Sequence, residues 1–214
     1  MAGRSPEEVA ALVTEGAEIL TRWGLPAPVA FRSGSLRADR AVYAGLSRAG
    51  LPLASCIGSA IYSPAEPDLR FMGGRHRVEG VIEVPVLAFA DLRLGRRRHL
   101  KNLTVTGCSA AELRWVLRAA HRRGVRTVVL LTHPFEFVKY DEAFIALRPN
   151  RVNQNRFRRL CAYLDRHRDA FESVTFAGSL DRWLAEGEEA APALATPPWL
   201  TLGRWAVNKL NDWR

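Results

Sequence analysis

The stretch from Val125 to Val138, VRTVVLLTHPFEFV, constrains the fold of this chain more than any other. Between Val125 and Leu131 only Arg126 and Thr127 are polar, the pattern of a strand buried on both faces by flanking helices. Thr132 and His133 follow at once, and Pro134 biases His133 away from the α region toward an extended conformation. Open α/β sheets and α/β barrels bind ligands at the carboxyl ends of their strands, so an imidazole at this position is placed for chemistry. The competing reading is a strand-end histidine satisfied by a backbone carbonyl.

The elements around that stretch alternate between helix and strand. Ser5, Pro6 and Glu8 form a capping box that starts a helix whose stripe is Val9, Leu12, Val13, Gly16, Ile19, Leu20 and Trp23. In an α/β fold such a stripe packs on a parallel sheet, yet only Met1 to Arg4 precede it. A strand is expected at Pro28 to Phe31, a helix at Asp39 to Ala49, and strands at Leu51 to Ile57 and Gly80 to Phe89, with Gly58 to Arg77 as a loop. Pro85 implies an edge or a bulge in the last of these strands. A second capping box, Ser109 with Glu112, opens a helix to Arg123. Beyond His133 the residues Glu136 to Asn155 read as a long polar loop. A helix from about Gln154 to Ala170, burying Phe157, Leu160, Cys161 and Leu164, follows, then a strand at Ser173 to Ala177 and a short helix capped by Ser179 through Ala185. The alternation predicts an α/β fold with mainly parallel strands, too few to close a barrel. It also predicts one domain over residues 1–189, and a proline-containing linker and C-terminal helix over 190–214 with Leu202, Trp205, Ala206, Leu210 and Trp213 at near-helical spacing, read as a tail packing on the domain with a membrane-surface or partner-docking helix as the alternative.

Length and composition suit one ordinary core: 214 residues, 48% hydrophobic and 25% charged. No run approaches the roughly 20 apolar residues of a membrane span. The first residues are acidic where a signal peptide is basic, so a cytoplasmic location is expected. Cys56, Cys108 and Cys161 are odd in number and widely spaced, which predicts core thiols rather than disulfides or a zinc knuckle. The net charge of +9 would suit a polyanion-binding protein. Its densest basic cluster, Arg96, Arg97, Arg98 and His99 with Lys101, lacks the interleaved aromatics of a single-strand stacking platform and reads as a solvated loop.

The segments FRSGSLRADRAVYAGLSRAGLPLASCIGSAIYSP, GGRHRVEGVIEVPV and LLTHPFEFV, in that order, resemble the polysaccharide deacetylase superfamily, the NodB-homology domains of carbohydrate esterase family four. The resemblance runs from about Ser5 to Ala177. It implies a deformed (β/α) barrel, here incomplete, and metal-dependent hydrolysis of the N-acetyl C–N bond of a carbohydrate. His133 matches the strand-end histidine that protonates the departing amine, a role that needs a pKa near neutrality. Leu131 would line the pocket for the acetyl methyl. Arg32 matches the loop arginine that orients the catalytic carboxylate, and Ser33 and Gly34 lie in the same substrate-facing loop.

The resemblance also implies a divalent, zinc-type ion held by an aspartate pair and a histidine-x-x-x-histidine pair upstream of the arginine loop. The 31 residues before Arg32 contain neither histidine nor aspartate, and His76, His99, His121 and His167 show no ligand spacing. About three protein ligands are needed for such a site. The sequence is therefore expected to be the C-terminal part of a deacetylase domain, inactive by itself. Two alternatives stand beside it. One is a non-catalytic module that binds glycan or a partner through the same cleft, with Tyr62, Arg75 and the Phe135 to Tyr140 loop at its rim. The other is a basic nucleic-acid-binding protein. An uncovered sheet edge would invite association.

Overall fold

The computed structural model describes residues 1–94, 97–140 and 147–212, without the side chains of Leu94 and of residues 210–212. Its helices are α1 (Pro6–Arg22), α2 (Arg40–Arg48), α3 (Ala110–Arg122), α4 (Arg151–Arg166), α5 (Phe176–Glu186) and α6 (Pro198–Asp212). Its strands are β1 (Ala30–Phe31), β2 (Leu53–Ala54), β3 (Gly74–Val78), β4 (Val81–Glu83) and β5 (Ala88–Leu94), followed by β6 (Arg97–Asn102), β7 (Val138–Tyr140), β8 (Leu147–Pro149), β9 (Glu189–Ala190) and β10 (Leu194–Ala195). The fold is mixed α/β, and among the described residues no sheet closes into a barrel. The chain forms two compact units: residues 1–87, 125–129 and 174–192 make unit 1, and residues 88–124, 130–173 and 193–214 make unit 2.

Unit 1 is built on a five-stranded sheet in the order β1-β2-β4-β3-β9. The pairs β1–β2 and β2–β4 are parallel, and β3 runs antiparallel to both β4 and β9. Val86 and Val129 extend the parallel pairing by one bridge. The core gathers Val9 and Val13 of α1 with Val42, Tyr43 and Leu46 of α2 and with Ala54, Cys56, Ile57, Val78 and Val81. The stripe predicted for α1 is therefore half right. Leu12 and Trp23 are exposed, because nine-residue α2, about 13 Å long, can cover only half of a 17-residue helix. The partner of that stripe is a helix together with the sheet, not a sheet alone. Contact is close at Gly45, where an added Cβ would stand 2.5 Å from Cβ of Val9.

The segment read as a loop from Gly58 to Arg77 holds β3 near its end. Its residues Gly74, Arg75, His76 and Arg77 carry no apolar alternation. They pair because partners far away in sequence satisfy them: Arg75, 1% exposed, donates to the Gly187 carbonyl at 2.8 Å and forms ion pairs with Glu186 and Glu189 at 2.8 and 3.4 Å. The rim role expected for Arg75 is thus excluded by its burial. Gly74 allows β9 to approach, since a Cβ there would lie 2.0 Å from the Glu189 carbonyl oxygen. The strand expected at Ser173 to Ala177 is absent, because Thr175 accepts from the Gly178 N–H at 3.0 Å and starts α5 instead.

Unit 2 holds the three-stranded sheet β10-β5-β6 and the hairpin β7–β8. The basic segment lies on the β5–β6 hairpin, not in a loop, with Arg97 and Arg98 exposed; Arg96 falls outside the described residues. Residues expected to form a long loop after Glu136 include a 3-10 turn (Pro134–Phe137), β7 and β8, with 141–146 outside the described residues. Helix α4 starts three residues before the predicted Gln154, capped by Asn150, and buries Asn153, Arg156, Leu160 and Tyr163 while Phe157 and Cys161 are exposed. Its buried face is shifted because Arg156 finds acceptors at the Thr106 carbonyl (2.6 Å) and the side chains of Asn153 (3.1 Å) and Asn208 (2.5 Å). Cys161 is thus not a core thiol, whereas Cys56 and Cys108 are, and burial pushes those two up to about 12 and about 11. Among the described residues no helix is long and apolar enough to cross a membrane.

Candidate functional site

The run Val125 to Leu131 buries Val125, Thr127, Val129 and Leu131 but leaves Val128 and Leu130 half-buried and Arg126 exposed, so one face is covered rather than the two expected, and the run pairs through isolated parallel bridges. The boundary between the units falls within it, after Val129. Two polar centres result. Arg32, Ser33 and Gly34 belong to unit 1, and Leu131 and His133 belong to unit 2.

In unit 1 the centre forms where β1, β2 and β4 end. Arg32 follows β1 directly and donates from Nε to the Ser55 carbonyl at 2.9 Å and from a terminal nitrogen to the Ser55 hydroxyl at 2.7 Å. Burial lowers its pKa from the ordinary arginine value. Ser33 is buried and its N–H points at the Cys56 sulfur at 3.3 Å, while Gly34 is exposed. The next residues, Ser35 and Leu36, have φ of 55° and 54°. Left-handed backbone at two successive non-glycine residues costs on the order of 1–3 kcal/mol each and concentrates at binding loops.

At the end of β4, Glu83 is fully buried. Its carboxylate accepts from the Cys56 and Ile57 N–H groups and from the Tyr43 hydroxyl, all at 3.0 Å. Burial nonetheless raises its pKa to about 7, against the pull of those donors and of the Arg32 charge. The carboxylate that Arg32 influences is therefore Glu83, although the guanidinium makes its hydrogen bonds to Ser55. Sequence reasoning passed over Glu83. The signal was present: one acid in the run VIEVPV, every residue of which is buried.

In unit 2, Leu131 is buried, and its N–H donates to the Leu103 carbonyl at 3.0 Å while its own carbonyl accepts from Val105 at 3.2 Å. His133 comes two residues later, exposed and extended at φ −123° and ψ 145°, as Pro134 requires. Glu136 holds it. That carboxylate accepts from the His133 N–H and the Thr132 hydroxyl, both at 3.0 Å, and its other oxygen lies 3.4 Å from His133 Nδ1. Burial pushes the Glu136 carboxyl up, but these donors and the Thr106 side chain outweigh it and hold the group below its ordinary value. The imidazole stacks on Phe135 with ring centres 5.0 Å apart, and Phe135 is itself 58% exposed. With Nδ1 against a carboxylate, Nε2 is the nitrogen left to meet a ligand.

A third polar centre, also in unit 2, lay outside the sequence reading. Arg204 of α6 bridges the buried carboxylates of Asp91 and Glu112 at 2.6 Å each, and His99 reaches the other Asp91 oxygen at 2.5 Å. Among the described residues no group of three or more His, Cys, Asp and Glu side chains is placed to hold a metal ion. Compared with protein-family models, with curated proteins and with solved structures, the chain finds no match.

Proposed function

We propose that this chain is a polysaccharide-deacetylase-like protein directed at N-acetylated carbohydrate, with His133 as the group that protonates the departing amine. The observation that supports it is the corner at residues 133–136: an exposed imidazole beside a carboxylate, stacked on an exposed aromatic ring. An amine leaves only as it gains a proton, and a histidine steadied by Glu136 is suited to give one. Phe135 offers a flat apolar face for the C–H side of a sugar ring. In this reading Leu131, two residues before His133, lines the pocket for the acetyl methyl, while within unit 1 Arg32 steadies a carboxylate beside the Ser33–Gly34 loop. The parallel pairing of β1, β2 and β4 agrees with an incomplete deacetylase-type barrel. A divalent ion belongs to the activity of the family, but the described residues offer no donor set for one, so no step is routed through it.

Titration calorimetry with a tetramer of N-acetylglucosamine tests the reading, alongside an acetate-release assay with added zinc. Binding is expected, weakened up to about tenfold by Phe135→Ala. The absence of binding and of acetate release would overturn it. A second reading is glycan binding without catalysis. Binding without acetate release selects it, whereas release that Tris-washed protein shows with zinc and that His133→Ala abolishes selects the enzyme.

A further inference from the structure

Helix α6 is inverted. Its inner side is polar: Thr201 donates to the Asp91 carbonyl at 2.7 Å, and Arg204, 3% exposed, holds Asp91 and Glu112. Its outer side is apolar, with Trp199, Leu202 and Trp205 exposed by 67, 60 and 52%. At about 100° per residue these three fall within an arc of about 120° whose centre lies about 160° from Arg204, with Thr201 flanking the arc beyond Trp205. The helix cannot roll over to hide them, since freeing Arg204 would strand two buried carboxylates without their cation.

Charge divides as unevenly as polarity. Unit 2 carries twenty Lys and Arg against nine Asp and Glu, a net of +11, while unit 1 carries eleven against thirteen, a net of −2. The hairpin on which α6 rests exposes Arg93, Arg97 and Arg98, and its one acid, Asp91, is buried and paired. An outward tryptophan-leucine face beside a cationic hairpin matches an anionic lipid surface, where indole rings settle at headgroup depth and arginines meet phosphates. The aromatics form a patch on one helix and do not alternate with the arginines as a nucleic-acid stacking platform would.

We propose that unit 2 docks on anionic phospholipid bilayers, with Trp199, Leu202 and Trp205 entering the interface and Arg93, Arg97 and Arg98 binding lipid phosphates. Sedimentation of the full chain with vesicles tests this, comparing phosphatidylcholine alone with phosphatidylcholine containing phosphatidylglycerol. Binding is expected only with phosphatidylglycerol, with a blue shift of tryptophan emission. The triple variant Trp199→Ser, Leu202→Ser, Trp205→Ser leaves Thr201 and Arg204 in place and is expected to lose more than tenfold in vesicle affinity. The triple variant Arg93→Gln, Arg97→Gln, Arg98→Gln changes only exposed side chains and is expected to lose about a hundredfold. Equal binding to both vesicle types, or vesicle binding undiminished in the arginine variant, overturns the proposal. So does a dimer in free solution that the tryptophan variant converts to monomer without any vesicle binding, and so does salt-dependent binding to duplex DNA in place of vesicles.

Discussion

Glu83 and Arg204 are buried for opposite electrostatic reasons. Glu83 has donors but no directly bonded cation, and its folded pKa of about 7 stands above the ordinary 4.5. A raised acid leaves stability intact below the unfolded pKa and loses it as pH rises through the folded one. Stability is therefore expected to fall by on the order of 3 kcal/mol between about pH 4.5 and pH 8 on this account. Urea unfolding at pH 5 and pH 8 checks it: Glu83→Gln should flatten the difference. Arg204 instead neutralises two buried carboxylates at once. Arg204→Ala should cost about 3–5 kcal/mol, measured by the shift in urea midpoint, because it leaves those charges unpaired.

At the level of elements, close approach and capping carry the predictions. Gly45→Ala would place a methyl 2.5 Å from Val9 Cβ and 2.8 Å from the Pro6 carbonyl oxygen, so α1 and α2 must separate. A loss of about 1–3 kcal/mol is expected in thermal unfolding. Ser109 closes a reciprocal cap with Glu112, and Ser109→Ala should cost about 1 kcal/mol by the same measurement. The capping boxes at Ser5 and Ser109 were legible from sequence because every partner lies within three residues. Strand β3 was not legible, because Arg75 is satisfied only by residues 52 to 114 positions further on, among them Thr127, Gly187 and Glu189.

Over the whole molecule the titrating groups set a pH optimum. For Asp91, burial raises the pKa, but His99 and Arg204 outweigh it and hold the carboxyl low, as the donors around Glu136 do there. Depressed acids give stability that is present above their unfolded pKa and lost as pH falls through the folded value, the reverse of Glu83. A stability maximum near about pH 5 is expected, seen as the highest urea midpoint in a series from pH 3 to 8.

The sequence by itself determined the capping-box helix starts at Ser5 and Ser109, the burial of Leu131, the extended His133 before Pro134 and the α/β class, since each depends on neighbours a few bonds away or on a period of two or 3.6. Tertiary structure alone decided that Glu136 faces His133 and that Glu83 lies among Tyr43, Cys56 and Ile57. It also decided that the C-terminal helix turns its tryptophans outward. Those outcomes depend on which distant polar groups find partners once water is excluded, and no local pattern encodes that pairing.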